Sequence, residues 1–83
     1  MSDNNTIEII IPNQGLTVTE VVISNWHKEI GETVHKDEIL LDFESDKADI
    51  ELPSPANGVL SKIVAREGAT VAIGEVVGVI TIP

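Results

Sequence analysis

Cysteine is missing from these 83 residues, and with it go disulfide stapling, a thiol nucleophile and any Cys-ligated zinc site. Redox chemistry, if the protein takes part in any, must come from a group added to the chain. Aromatic side chains are reduced to Trp26 and Phe43, so burial rests on Ile, Val and Leu, residues that favour pleated strands. Positive charge is scarce too: five Lys and Arg stand against fourteen Asp and Glu, for a formal net charge of −9. Such a surface repels a phosphate backbone and an anionic bilayer, so neither nucleic acid nor a membrane is expected as a partner. No apolar run approaches the roughly 18 residues of a membrane span. The opening Met1 to Thr6 carries neither a secretory signal nor an Arg-rich transit peptide. The expected setting is a bacterial cytoplasm, or the mitochondrial matrix if the source is eukaryotic.

What is present is a series of short β-branched runs punctuated by turn residues. Ile7-Glu8-Ile9-Ile10-Ile11 reads as a strand stopped by Pro12, and Val18 to Trp26 as a second. A tight turn is expected at Glu29-Ile30-Gly31-Glu32. Ile39 to Phe43 reads as a largely buried strand, and Asp49-Ile50-Glu51-Leu52 alternates like a strand with one wet face before Pro53 and Pro55 close it. Val59 to Val64, a turn at Arg66-Glu67-Gly68, and Val76 to Ile82 interrupted at Gly78 complete the series. No segment sustains a helical period.

The chain also repeats itself at an offset of 37 residues. Gly31-Glu32-Thr33-Val34 aligns with Gly68-Ala69-Thr70-Val71, Glu38-Ile39-Leu40 with Glu75-Val76-Val77, and Val22-Ile23-Ser24 with Val59-Leu60-Ser61. Neither half can bury its apolar face alone. The fold class is therefore all-β, a flattened barrel or sandwich of two quasi-symmetric antiparallel sheets related by a pseudo-twofold axis. The same offset sets Glu44 against Ile7 and carries the last strand to Ile80–Pro83, so the polar turn after Phe43 should lie at one end and both termini at the other. Residues 1–6 read as a flexible lead-in and 7–82 as the domain.

Glu44-Ser45-Asp46-Lys47-Ala48 is the chemically distinctive stretch. Small and polar residues suit a tight β-turn that holds Lys47 outward, although a lone lysine at a hairpin tip is ordinarily just a solvated side chain. Here the sequence resembles the biotinyl and lipoyl carrier domains. In that family the modified lysine sits in a hairpin between two quasi-equivalent halves. Gly31 lies sixteen residues before Lys47 and Gly58 eleven after, with Val34, Leu40, Phe43 and Leu52 apolar between them. The resemblance runs from Ile7 to Ile82, and its core looks like the Glu-Thr/Ser-Asp-Lys-Ala motif of lipoyl domains in acyltransferase components of 2-oxo acid dehydrogenase complexes. Biotin carriers place methionines on both sides of the lysine, where Asp46 and Ala48 stand here.

The resemblance implies lipoic acid joined by an amide to Lys47 as N6-lipoyllysine, with Glu44, Ser45, Asp46 and Ala48 forming the turn that a lipoate ligase or lipoyl transferase reads. The protein then acts as a swinging-arm carrier and not as an enzyme. It serves a thiamine-diphosphate-dependent 2-oxo acid dehydrogenase, a dihydrolipoyl acyltransferase core and a dihydrolipoamide dehydrogenase, in a complex of the pyruvate or 2-oxoglutarate type. The isolated domain is expected to be a monomer. A biotin carrier and an unmodified barrel-sandwich adaptor remain alternatives at this stage.

Around Lys47, the acidic Glu44, Asp46, Asp49 and Glu51 are candidates for steering the domain to basic partner surfaces; a solvated strand face has the same composition. The resemblance also implies partner recognition for the loop Asn13-Gln14-Gly15-Leu16-Thr17, against the plain reading of a connector. Trp26, whose repeat counterpart is Ile63, is expected in the core. His27 and His35 lack metal-ligand spacing and are expected at the surface. No nucleophile triad, phosphate-binding glycine loop or catalytic carboxylate pair stands out.

Overall fold

In the computed structural model, which describes residues 5–13, 18–46 and 48–83, the β-branched runs become eight strands. These are β1 (Thr6–Ile10), β2 (Glu20–Trp26), β3 (Thr33–Val34), β4 (Ile39–Glu44), β5 (Asp49–Pro53), β6 (Gly58–Ile63), β7 (Thr70–Ala72) and β8 (Val76–Thr81). One antiparallel sheet has the order β1-β8-β6-β3 and the other β5-β4-β2-β7. No helix occurs among the described residues. The all-β, two-sheet architecture read from the sequence is the one that forms.

The repeat is realised pair by pair. Between β2 and β4, Val22 faces Glu44 and Trp26 faces Leu41; between β6 and β8, Val59 faces Thr81 and Ile63 faces Gly78, each 37 positions further on. The ladder irregularity recurs as well, between Ile23 and Asn25 in one half and between Leu60 and Lys62 in the other.

One part of the repeat reading needs correction. Phe43 pairs with Ile50 as Ile80 pairs with Ile7, so the counterpart of Ile7 is Ile50, at an offset of 43, and not Glu44. The first half spends residues 11–19 between β1 and β2, where the second spends 54–57 between β5 and β6. A constant offset cannot survive that change of length. The ends of the domain still meet: beyond the Thr6–Thr81 pair, the Ile82 amide donates to the Asn5 carbonyl at 2.7 Å.

The core lies between the sheets. Phe43, Leu41, Ile23, Leu60, Ile80 and Val77 are shut off from solvent, each contributing on the order of 1.5–3 kcal/mol of burial. Consecutive Leu40 and Leu41 are both buried because the ladder shifts between Ile39 and Leu41, which breaks the strict alternation of a flat strand. Trp26 is in the core as expected, 5% exposed, and its indole Nε1 donates to the Ala65 carbonyl at 2.8 Å.

Gly78 does not interrupt β8, which runs through it from Val76 to Thr81. A Cβ there would lie 2.9 Å from the Lys62 carbonyl oxygen and 3.1 Å from Cη2 of Trp26. The halves thus exchange volume: Trp26 and Leu41 in one become Ile63 and Gly78 in the other, and the large ring occupies the space that the glycine leaves. The two short strands β3 and β7 were legible only as repeat units, since two or three residues give no periodicity to read.

Candidate functional site

The β4–β5 hairpin is anchored from below by Phe43, fully buried and paired with Ile50, and by Leu41, paired with Leu52. Glu44 and Asp49 form the last cross-strand pair. Past them the Ser45 amide donates to the Ala48 carbonyl at 2.9 Å, and the Ser45 hydroxyl leans on the same oxygen at 3.4 Å. The bonded positions, Ser45 and Ala48, are separated in sequence by two residues, the length of a tight hairpin connection. Lys47 itself lies outside the described residues, as do Gln14, Gly15, Leu16 and Thr17. Of the described neighbours, Asp46, Ala48 and Asp49 are exposed and Ser45 is half-buried. Asn13, the described residue just before Gln14 in the β1–β2 connection, is exposed.

Register turns the acidic collar into a two-dimensional array. Asp42 faces Glu51 and Glu44 faces Asp49 across β4 and β5, two like-charged pairs side by side, an arrangement that costs stability. These four carboxylates, with Ser24 and Ile50, line an open depression of about 530 Å³ on the outer face of the sheet. A second hollow of about 220 Å³ joins it at Glu44 and includes Glu20, Val22, Asp46 and Thr70.

The opposite sheet offers an internal comparison. By register, Val79 stands in place of Asp42, Thr81 of Glu44 and Thr6 of Asp49, and only Glu8 matches Glu51. Three of four carboxylates thus have uncharged counterparts, and the charge is concentrated on the sheet that carries the Lys47 hairpin. Asp42 and Glu20 were missed as members of this face from sequence, because cross-strand pairing places them there.

Both histidines are at the surface, each beside a carboxylate. His27 Nε2 lies 3.0 Å from Asp42 Oδ2, and His35 Nδ1 lies 3.5 Å from Glu38 Oε1. The other oxygen of Asp42 is buried and has no hydrogen-bond partner among the described residues. Among those residues no group of His, Cys, Asp and Glu is arranged to hold a metal.

Comparison with known proteins follows the same line. The model of the family described as biotin-requiring enzyme matches residues 7–80. A dihydrolipoyllysine-residue succinyltransferase component of the 2-oxoglutarate dehydrogenase complex from Rickettsia typhi is 47% identical over 73 residues, 88% of this chain and 18% of that protein. A dihydrolipoyllysine-residue acetyltransferase component of the pyruvate dehydrogenase complex from Corynebacterium glutamicum is 46% identical over 70 residues, 84% of this chain and 10% of that protein. The chain therefore spans less than a fifth of the length of these relatives. The solution structure of the lipoyl domain of the 2-oxoglutarate dehydrogenase complex from Azotobacter vinelandii superposes with a TM-score of 0.74 at 36% identity, covering 93% of this chain and 96% of that one.

Proposed function

The chain belongs to the biotin and lipoyl attachment family, and from that premise we propose that it is a lipoyl carrier domain whose Lys47 takes lipoic acid in amide linkage. The observation that supports the reading is the Ser45–Ala48 backbone bond, which closes the β4–β5 hairpin beyond the buried Phe43 and leaves only two sequence positions, 46 and 47, between its ends. The family members that carry biotin set the lysine between methionines, and this chain's only methionine is Met1. That difference favours lipoate.

Linkage to Nζ removes a positive charge, lowering the formal net charge one unit below −9. A lipoyl group bound there supplies a dithiolane that can be reduced, acylated and reoxidised, sulfur chemistry that a chain without cysteine lacks. The protein's own contribution is presentation. Phe43 and Ile50 hold the hairpin base, and Ser45 and Ala48 fix the turn. Asp49, Glu51 and the other carboxylates of that sheet steer the domain towards basic surfaces at channel entrances of partner enzymes. Asn13, with Gln14, Gly15 and Leu16 after it, is proposed as a further recognition segment. A tethered arm raises the local concentration of carried acyl groups at each active site, which free lipoamide could not do.

The partners proposed are a thiamine-diphosphate-dependent 2-oxo acid dehydrogenase, an acyltransferase core, a dihydrolipoamide dehydrogenase and a lipoate-attaching enzyme. The relatives favour the 2-oxoglutarate or pyruvate type of complex, and their bacterial sources favour a bacterial cytoplasm as the setting. The test is intact mass after incubation with lipoate, ATP and a lipoate ligase. One lipoyl increment mapped to Lys47, and lost in Lys47→Gln with the fold intact, supports the proposal. A biotinyl increment under biotin ligase, or an unmodified mass where a known lipoyl domain is modified, rejects it.

A further inference from the structure

Asn57-Gly58 is the only Asn-Gly pair in the sequence, and it lies at the entry to β6. We infer that Asn57 is a spontaneous deamidation site, held in check by the pairing of β3 with β6. The reaction needs no enzyme. The Gly58 backbone nitrogen attacks Cγ of Asn57 and ammonia leaves. Water then opens the resulting succinimide at one of its two carbonyls, giving aspartate or isoaspartate. Glycine on the C-terminal side makes this attack easiest because no Cβ obstructs the nitrogen.

Gly58 cannot be exchanged to relieve the pair. A Cβ at that position would lie 2.4 Å from the Thr81 carbonyl oxygen and 2.6 Å from Cγ2 of Ile80, so the close passage of β6 beside β8 dictates glycine. Its counterpart in the other half, 37 positions earlier, is Val21, which shows that the requirement belongs to this packing and not to the strand as such.

Two contacts restrain the reaction in the folded chain. The Asn57 side-chain oxygen accepts the Lys36 amide at 2.8 Å, which commits the carbonyl end of the side chain to the β3–β4 turn. Gly58 faces Val34 in the ladder, so its nitrogen must leave the sheet before it can reach Cγ. That ladder is short: β3 has two residues, and beyond them the Leu60 amide donates to Glu32 at 3.0 Å and the Gly31 amide to Leu60 at 2.7 Å. A two-residue edge strand opens at far less than the cost of global unfolding. Conversion at Asn57 thereby records how often β3 leaves β6. The isoaspartyl product inserts a backbone methylene where Gly58 fits against Thr81, so it also prevents the strand from closing in register.

The site lies away from the Lys47 hairpin. Lys36 and Asp37 are at the Ile39 end of β4, and the Asp37 amide donates to the Ser54 carbonyl at 2.9 Å, beside Asn57. The inference stands whether or not Lys47 carries a lipoyl group.

The experiment holds the whole chain in mildly alkaline buffer, folded and urea-unfolded in parallel, and quantifies each asparagine by peptide mapping with isoaspartyl methyltransferase as probe. Asn57 should be the principal site in both samples, reacting at least about tenfold more slowly when folded. Val34→Ala, which trims a buried side chain of β3, should raise the folded-state rate severalfold. Sub-denaturing urea on the unaltered protein should do the same, in step with hydrogen exchange at the Gly58 amide. Equal folded and unfolded rates, a folded rate indifferent to both perturbations, or predominant loss at Asn4, Asn5, Asn13 or Asn25 overturns the inference.

Discussion

Ser45 and Ile82 occupy the same place in the two halves: the Ser45 amide donates to the Ala48 carbonyl at 2.9 Å, and the Ile82 amide, 37 positions on, donates to the Asn5 carbonyl at 2.7 Å. The first bond is spanned by Asp46 and Lys47, and the second joins the two ends of the domain. One backbone frame therefore serves once as a closed turn and once as an open seam. Its geometry is set by the sheet beneath and not by the residues that cross it.

Inserting one glycine between Asp46 and Lys47 tests that independence. Register in β4 and β5 is fixed by Phe43–Ile50 and Leu41–Leu52, so the longer turn should cost no more than about 1 kcal/mol in urea unfolding. Ligase-dependent lipoylation, read as intact mass, should fall sharply, because the proposed lysine no longer sits in the two-residue reversal.

The like-charged pairs of the acidic face cost stability, and partner recognition is the role proposed for them. Glu44→Thr copies the uncharged counterpart Thr81 and removes a like-charged partner from Asp49. The variant should be stabilised by roughly 0.2–1 kcal/mol. With a 2-oxo acid dehydrogenase, the lipoylated form should associate more slowly and show a shallower dependence on salt. Stopped-flow rates at several ionic strengths decide the point.

Gly78→Ala should be destabilising by about 1–3 kcal/mol, since the new methyl meets the Lys62 carbonyl and the Trp26 ring. Pairing it with Trp26→Leu should recover part of the loss at the ring but none of that at the carbonyl. A double-mutant cycle by thermal unfolding separates the two.

Asp37 and Gly74 are counterparts with φ of +74° and +88°. Aspartate tolerates this region better than most residues, glycine better still. Asp37→Gly should therefore be accepted with a change within about 1 kcal/mol, whereas Gly74→Ala should cost about 1–2 kcal/mol. Denaturant midpoints at constant m-value provide the comparison.

The Trp26 backbone amide, 3.1 Å from a Glu67 carboxylate oxygen, holds that carboxyl below its ordinary range. A carboxyl depressed in the folded state adds stability above its unfolded pKa of about 4.3 and loses it as pH falls through the lower folded value. Glu67→Gln should thus be less stable than the parent at neutral pH, with the difference vanishing in acid. Glu38, lowered first by the hydrogen bond from Lys28 and then by the His35 amide, should behave in the same direction.

Much of this was legible in the chain itself. Val22, Ile23 and Ser24 against Val59, Leu60 and Ser61 disclosed the twofold plan, and Ile39 to Phe43 announced a largely buried strand. Gly78 was misread as a break because a glycine demanded by tertiary packing looks, in sequence, like one demanded by a turn. The match of Ile7 to Ile50 was hidden by the unequal connections before β2 and β6. Asp42 was overlooked because its place in the acidic face depends on cross-strand register, which no local window contains.

Trp26 gives the molecule a built-in optical gauge. It is the only indole in the chain, its ring lies against Gly78 of the opposite sheet, and its Nε1 is tied to Ala65 just past the end of β6. Its emission colour and quenching should therefore follow the joint between the two halves, so their separation can be watched in a cuvette without a label.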